Sequence, residues 1–210
     1  MREDIRIPIP RSVYQAAREE KAAIPNAVTA AQNNEFLDGI VRRIIDSSSS
    51  LPEALHAVQS FVDTIDYATD IESTETIEYV RHPSETLVDG EGDCEDKAVL
   101  LAGLLSCPPF NYKTGLVFPP KHCATLAPWK HLPTQSFSAD PLIVTVNGTE
   151  FVYVESVAAV PLGNWAEDYG QGPILASYVD FWEIHDMNSL IASAEHALGD
   201  GLFPTLRAYT

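Results

Sequence analysis

Cysteine, lysine and long apolar runs are all scarce in this chain of 210 residues, and each scarcity closes off a class of function. Three cysteines, Cys94, Cys107 and Cys123, are too few and odd in number for a disulfide framework. There is no C-x-x-C pair. A zinc site can be drawn from Cys94, Cys107, His122 and Cys123, but adjacent His122 and Cys123 chelate poorly together from a strand. Neither a metal nor any other cofactor is expected. No apolar run approaches the ~18 residues of a membrane span. Met1 to Arg6 has no apolar signal region. The expectation is a protein with no export signal, cytoplasmic or part of a larger assembly such as a virion. Internal repeats and long low-complexity tracts are also missing.

Positive charge is short as well. Thirteen basic residues, five of them lysines, face 30 acids, for a net charge of −17. Repulsion disfavours a nucleic-acid duplex or an anionic membrane as partner. Acidic surfaces of this kind suit a high-salt cytoplasm, where salt screens self-repulsion, although a plain acidic protein reads the same way.

What is present centres on Gly90-Glu91-Gly92-Asp93-Cys94-Glu95-Asp96-Lys97, which runs into the apolar stretch Ala98 to Leu105. The glycines allow a sharp turn and Asp93 is a natural N-cap, so the thiol falls in the first turn of a buried helix. Unpaired backbone N–H groups and the helix dipole favour a thiolate there, and the same N–H groups can hold an oxyanion. Glu91, Asp93, Glu95 and Asp96 act the other way, since nearby negative charge raises a thiol pKa. A nucleophile here needs a cationic partner. The same acids could suggest a cation site, but they lack the spacing of a calcium loop.

Along the chain, residues 1–30 are weakly patterned and read as an arm or docking segment, with helix between Ser12 and Ala23. Phe36, Leu37, Ile40, Val41, Ile44 and Ile45 define an amphipathic helix. Ser50-Leu51-Pro52-Glu53 opens another, with Leu55, Val58, Phe61, Val62 and Ile65 on one face. Asp66 to Thr76 reads as a surface loop. After the cysteine helix, Tyr112 to Phe118 and His122 to Leu126 read as strands, Trp129 to Asp140 as a polar loop, and Leu142 to Val154 as a hairpin turning at Asn147-Gly148. Pro161 to Gly172 is loop, and Asp186 can cap a last helix through Leu198. Helices first and antiparallel strands later predict an α+β domain. The expected division is an arm and helical extension over 1–48 and the main domain over 49–210.

Acyl transfer by cysteine needs a nucleophile, a base and a group orienting that base. In chain order these are Cys94, His122 at the start of a strand and Glu155 at the end of one. His131 and His82 compete for the base, and Tyr79 is a candidate oxyanion donor. Cys107 and Cys123 read as structural, and Trp129, Trp165 and Trp182 as packing residues or cleft walls.

The segment Glu85-Thr86-Leu87 followed by Gly90 to Ala98 resembles the nucleophile segment of the transglutaminase-like cysteine peptidase superfamily, its prokaryotic branch in particular. Val58 to Val62 with Ile65-Asp66-Tyr67 resembles that family's preceding helix. His122 opens a short strand as the family histidine does, and Tyr153 to Ser156 resembles the segment of the acidic third member. The resemblance covers about residues 50–160. It implies a papain-like α+β fold with the nucleophile helix packed on an antiparallel sheet. It also implies a Cys94, His122, Glu155 triad that cleaves or transfers a peptide, isopeptide or glutamine amide through a thioester. Two departures are Cys123, where relatives often carry an aromatic residue, and the distance of Glu155 from His122 in sequence. The rival reading is a non-catalytic assembly module with the same fold, joined to partners through its N-terminal arm.

Overall fold

The computed structural model describes residues 8–20, 23–46, 48–132, 141–164 and 174–186. The fold is α+β. Its organising element is a helix, α7 (Cys94–Ser106), buried along nearly its whole length. Asp93 caps it, accepting the Asp96 N–H at 3.4 Å, and Glu95 and Asp96 sit against the positive end of its dipole. A helix apolar on every side must be covered on every side, and three layers cover this one.

On one flank, α3 (Glu35–Ile45) and α4 (Leu51–Asp63) bring Leu37, Ile40, Val41, Ile44, Leu55, Val58 and Val62 into one core with Leu100, Leu101, Leu104 and Leu105. Ser50 caps α4 as expected, accepting the Glu53 N–H. On a second flank lies α2 (Ile24–Gln32), whose Ala27, Val28 and Ala31 pack with Ala98, Val99 and Ala102. The approach is close: a Cβ on Gly103 would lie 2.6 Å from Leu37 Cδ1 and 2.9 Å from Ala31 Cβ. The shorter α1 (Arg11–Glu19) precedes α2.

The third layer is a six-stranded antiparallel sheet in the order β5-β6-β4-β3-β7-β8. Its strands are β3 (Gly115–Phe118), β4 (Ala124–Pro128), β5 (Ile143–Val146), β6 (Thr149–Val154), β7 (Ile174–Tyr178) and β8 (Trp182–Asp186). Asn147 (φ 45°) and Gly148 (φ 73°) turn the β5–β6 hairpin where the sequence puts it. Thr125 Oγ1 donates to Ala98 O at 2.9 Å and fastens β4 to α7.

Several elements differ from the sequence expectation. Asp66 to Thr76 is not a plain loop. Asp66–Tyr67 forms β1, paired in parallel with β2 (Glu91–Gly92), and α5 (Asp70–Thr74) follows, with Thr69 and Glu72 making a capping box. A two-residue strand paired with a distant segment leaves no periodicity to read. Residues 24–32, part of the weakly patterned arm, are the helix α2. Its buried face is alanine and valine, so it lacks a stripe of large side chains, and Pro25 sits in its first turn, where proline is tolerated. A further helix, α6 (Pro83–Asp89), leads into the cysteine turn. The strand expected over 112–118 begins only at Gly115, and Asp186 closes β8. The helix expected beyond Asp186 lies outside the described residues, as do most of the residues expected as loops over 129–140 and 161–172.

Candidate functional site

Gly90 and Gly92 have different physical duties. Gly90 ends α6 in the left-handed region at φ 71°, its N–H donating to Thr86 O. Gly92 is required by proximity, because a Cβ there would lie 2.8 Å from Asp96 Cβ and 3.0 Å from its Oδ2. The turn therefore delivers Cys94 to the start of α7 with Asp96 tucked behind it.

Cys94, 9 % exposed, opens onto a cavity of about 310 Å³. Its walls include Tyr67, Glu78, Asp93, Glu95, Phe118, His122 and Cys123. His122 reaches the cavity because Lys121 takes a left-handed conformation (φ 62°) and the His122 N–H closes a turn onto Pro119 O. His122 lies two residues before β4 and Glu155 one residue after β6. These strands are antiparallel neighbours with Thr125 opposite Val154, so the start of one adjoins the end of the other. That pairing joins residues 33 apart: His122 Nε2 and Glu155 Oε1 are 3.0 Å apart, both residues buried.

Glu155 is heavily solvated by protein. Oε1 also accepts the N–H groups of Ser156 (2.9 Å) and Val157 (3.1 Å), and Oε2 accepts Tyr153 OH (2.6 Å). Burial pushes its pKa up, but the hydrogen bonds from His122 and Tyr153 and the His122 charge outweigh it and hold the carboxyl at about 2. An ionised Glu155 faces Nε2 and orients the imidazole. Gln59 of α4 adds a clamp, its side-chain amide donating to Glu155 O (3.2 Å) and Val160 O (3.0 Å).

The thiol stands in a less favourable field. Cys94 Sγ donates to Glu95 Oε2 at 3.1 Å. Burial first, then the Glu95 charge and this hydrogen bond, then Asp93, push its pKa far up, against one opposing contribution from the Cys123 N–H. In this arrangement Cys94 is a protonated thiol. The repulsion expected from the sequence is real, and Glu95 is its main charged source.

Asp96 is held by Arg81, which the motifs of the sequence do not single out. Arg81 is 1 % exposed, its N–H donates to Asp96 Oδ1 at 2.7 Å, and Nη1 donates to Asp96 Oδ2 at 2.6 Å. Nη2 donates to Ser73 Oγ, and Asp70 and Asp89 each lie 3.7 Å from the guanidinium. Burial raises Asp96 to about 6 although Arg81 opposes it. An arginine amid so many acids, fifteen residues before Asp96, was the available signal. Lys97, also buried, donates to Ile65 O at 2.8 Å and ties the first turn of α7 to the end of α4.

The competing residues lie elsewhere. His131 sits exposed in the short 3-10 turn Trp129–His131, and His82 starts α6; neither lines the cavity. Tyr79 OH donates to Glu85 Oε1 at 2.6 Å and does not line it either. Cys107 is thirteen positions from Cys94, about 20 Å along α7, so the four residues of the drawn zinc site do not converge. Among the described residues, the acids offer a different donor set. One oxygen from each of Asp70, Asp93 and Asp96, or of Asp70, Glu78 and Glu95, falls within 4.8 Å of the others. An all-oxygen, acidic set suits a hard cation such as Ca²⁺, which would share Asp70 and Asp96 with the Arg81 guanidinium.

No protein-family model matches the chain, and no curated protein matches it in sequence. Among solved structures, Legionella pneumophila LapG (EGTA-treated) is similar over 85 % of this chain and 98 % of its own, with a TM-score of 0.42 and 16 % identity. A likeness that distant transfers no residue role.

Proposed function

We propose that the protein is a cysteine-dependent amide hydrolase or acyl transferase of the transglutaminase-like kind, with Cys94 as nucleophile, His122 as base and Glu155 as the group orienting that base. The observation carrying this reading is the buried His122–Glu155 hydrogen bond at 3.0 Å, with the imidazole lining the same cavity as the Cys94 thiol. Glu155 holds Nε2–H, and Nδ1 takes the proton from Cys94. The thiolate attacks an amide carbonyl of a peptide, isopeptide or glutamine side chain. First-turn N–H groups of α7, that of Cys94 among them, stabilise the oxyanion. Collapse expels the amine, which takes the proton from the imidazolium, and leaves a thioester on Cys94. Water or a second amine then attacks the thioester and gives a proton to His122, and the C–S bond breaks to release an acid or a new amide and leave the Cys94 thiolate beside the imidazolium.

The thiol must exchange Glu95 for His122 before this sequence can begin. The Cys94–Glu95 contact thus favours one second reading, a non-catalytic assembly module whose thiol stays protonated. Iodoacetamide labelling read by mass spectrometry separates the two. For the enzyme, Cys94 labels at least tenfold faster than Cys107 and Cys123, and His122→Ala removes the advantage. Equal, slow labelling of all three cysteines rules the enzyme out.

A further inference from the structure

The sheet carries an apolar surface that the proposed chemistry does not use. Leu116 of β3 is buried in one cluster with Cys94, Ala98 and Val99, and Phe118 and Tyr178 pack against that cluster half-buried. This face continues outward to the edge strand. The Trp182 ring lies 5.1 Å from Phe118 and 5.4 Å from Tyr178, and Ile184, two residues on, shares its face. Trp182 is 50 % exposed and Ile184 74 %. Edge strands ordinarily carry charge or proline to avoid unwanted pairing; β8 carries Glu183 and Asp186, but on this face it presents two large apolar side chains.

Phe118 connects this shelf to the reactive end of the molecule, because it touches Trp182 and also lines the cavity with Cys94 and His122. The cavity, about 310 Å³, is at the lower end of the ~300–1,000 Å³ typical of ligand pockets. A polypeptide whose amide reaches Cys94 must therefore run on outside it. The shelf is an apolar route out, and among the described residues β8 ends the sheet order, the position at which an extended chain adds to a sheet.

We propose that the face of Phe118, Tyr178, Trp182 and Ile184 seats an extended polypeptide substrate through a bulky aromatic or branched aliphatic side chain near the amide attacked by Cys94. This rests on the catalytic reading and narrows its substrate to chains with such a residue beside the reacting bond.

The test uses tetrapeptide vinyl sulfones as probes, with Phe, Leu, Ala or Asp at each position in turn, and reads labelling of Cys94 in the full chain by mass spectrometry. At one position the Phe and Leu probes should react at least tenfold faster than the Ala probe. Trp182→Ala and Ile184→Ser should each erase most of that ratio, and Trp182→Phe should keep it. Because Ile184 is largely exposed, Ile184→Ser keeps the test available if Trp182→Ala folds poorly. A Phe to Ala ratio near one at every position overturns the proposal, as does a ratio unchanged in both variants. A dimer in sedimentation velocity that Trp182→Ala dissociates also overturns it and gives the face to a second copy. The iodoacetamide comparison judges the catalytic reading separately: if it fails while the peptide ratio holds, the shelf stands without the triad.

Discussion

Glu155 accepts hydrogen bonds from His122, Tyr153, Ser156 and Val157 and is 1 % exposed, so its charge is part of what holds the fold together. Its carboxyl titrates near 2 in the native protein, against 4.5 for an unperturbed glutamate. The depressed value means that the unfolded chain binds its proton first. The stabilisation is therefore fully present above pH 4.5 and is lost as pH falls toward 2, and its size at neutral pH is about 3 kcal/mol. Glu155→Gln keeps the shape and removes the charge. Urea unfolding of both proteins at pH 7, 5, 4 and 3 gives the difference in stability, in which the other acids largely cancel. The variant should be less stable by about 2–3 kcal/mol at pH 7 and 5, with the gap narrowing at pH 4 and narrowing further at pH 3. A gap constant from pH 7 to pH 3 would refute the argument, because the loss would then come from packing rather than from a charged acceptor.

Arg81→Ala strands Asp96 and Asp70 in the interior and should cost about 3–5 kcal/mol by urea unfolding, the range for breaking a buried ion pair from one side. Gly92→Ala pushes a methyl into Asp96 and should cost about 1–3 kcal/mol, with Cys94 labelling changed as the first turn of α7 shifts. Gly103→Val should lower stability by a comparable amount through its clash with Leu37 and Ala31, read by thermal unfolding. Millimolar Ca²⁺ should raise the melting temperature of the wild-type chain and leave Asp70→Asn unmoved, since ligand bound only to the native state stabilises it. Equal responses of the two proteins would show that the clustered acids hold no cation.

The legible parts of the molecule were those with a local signature. The stripe from Phe36 to Ile45, the Ser50 cap and the Asn147-Gly148 turn each rest on residues a few positions apart, and each forms where expected. Cys94 at a capped helix start was legible for the same reason. That His122 meets Glu155 follows from the β4–β6 register, which a single sequence constrains only through the order of its strands. The β1–β2 pair and the Arg81–Asp96 contact were illegible because both partners are polar and far apart in the chain. The helix α2 was missed because small side chains at a tight interface leave no strong amphipathic stripe, although the Ala98 to Gly103 surface they meet is equally small.

Gln59 has a consequence measured in time. Its amide spans from α4 to the backbone on either side of Ala158, while Ser156 and Val157 give their N–H groups to the Glu155 side chain instead of to a strand. A segment with no ladder of its own would ordinarily trade its amide hydrogens with solvent quickly. If the Gln59 clamp ties their release to the withdrawal of α4, their exchange should keep pace with the core of α4 and not with neighbouring loops. Exchange at the rate of the α4 core would mean that the carboxylate is placed by a unit that opens as a whole.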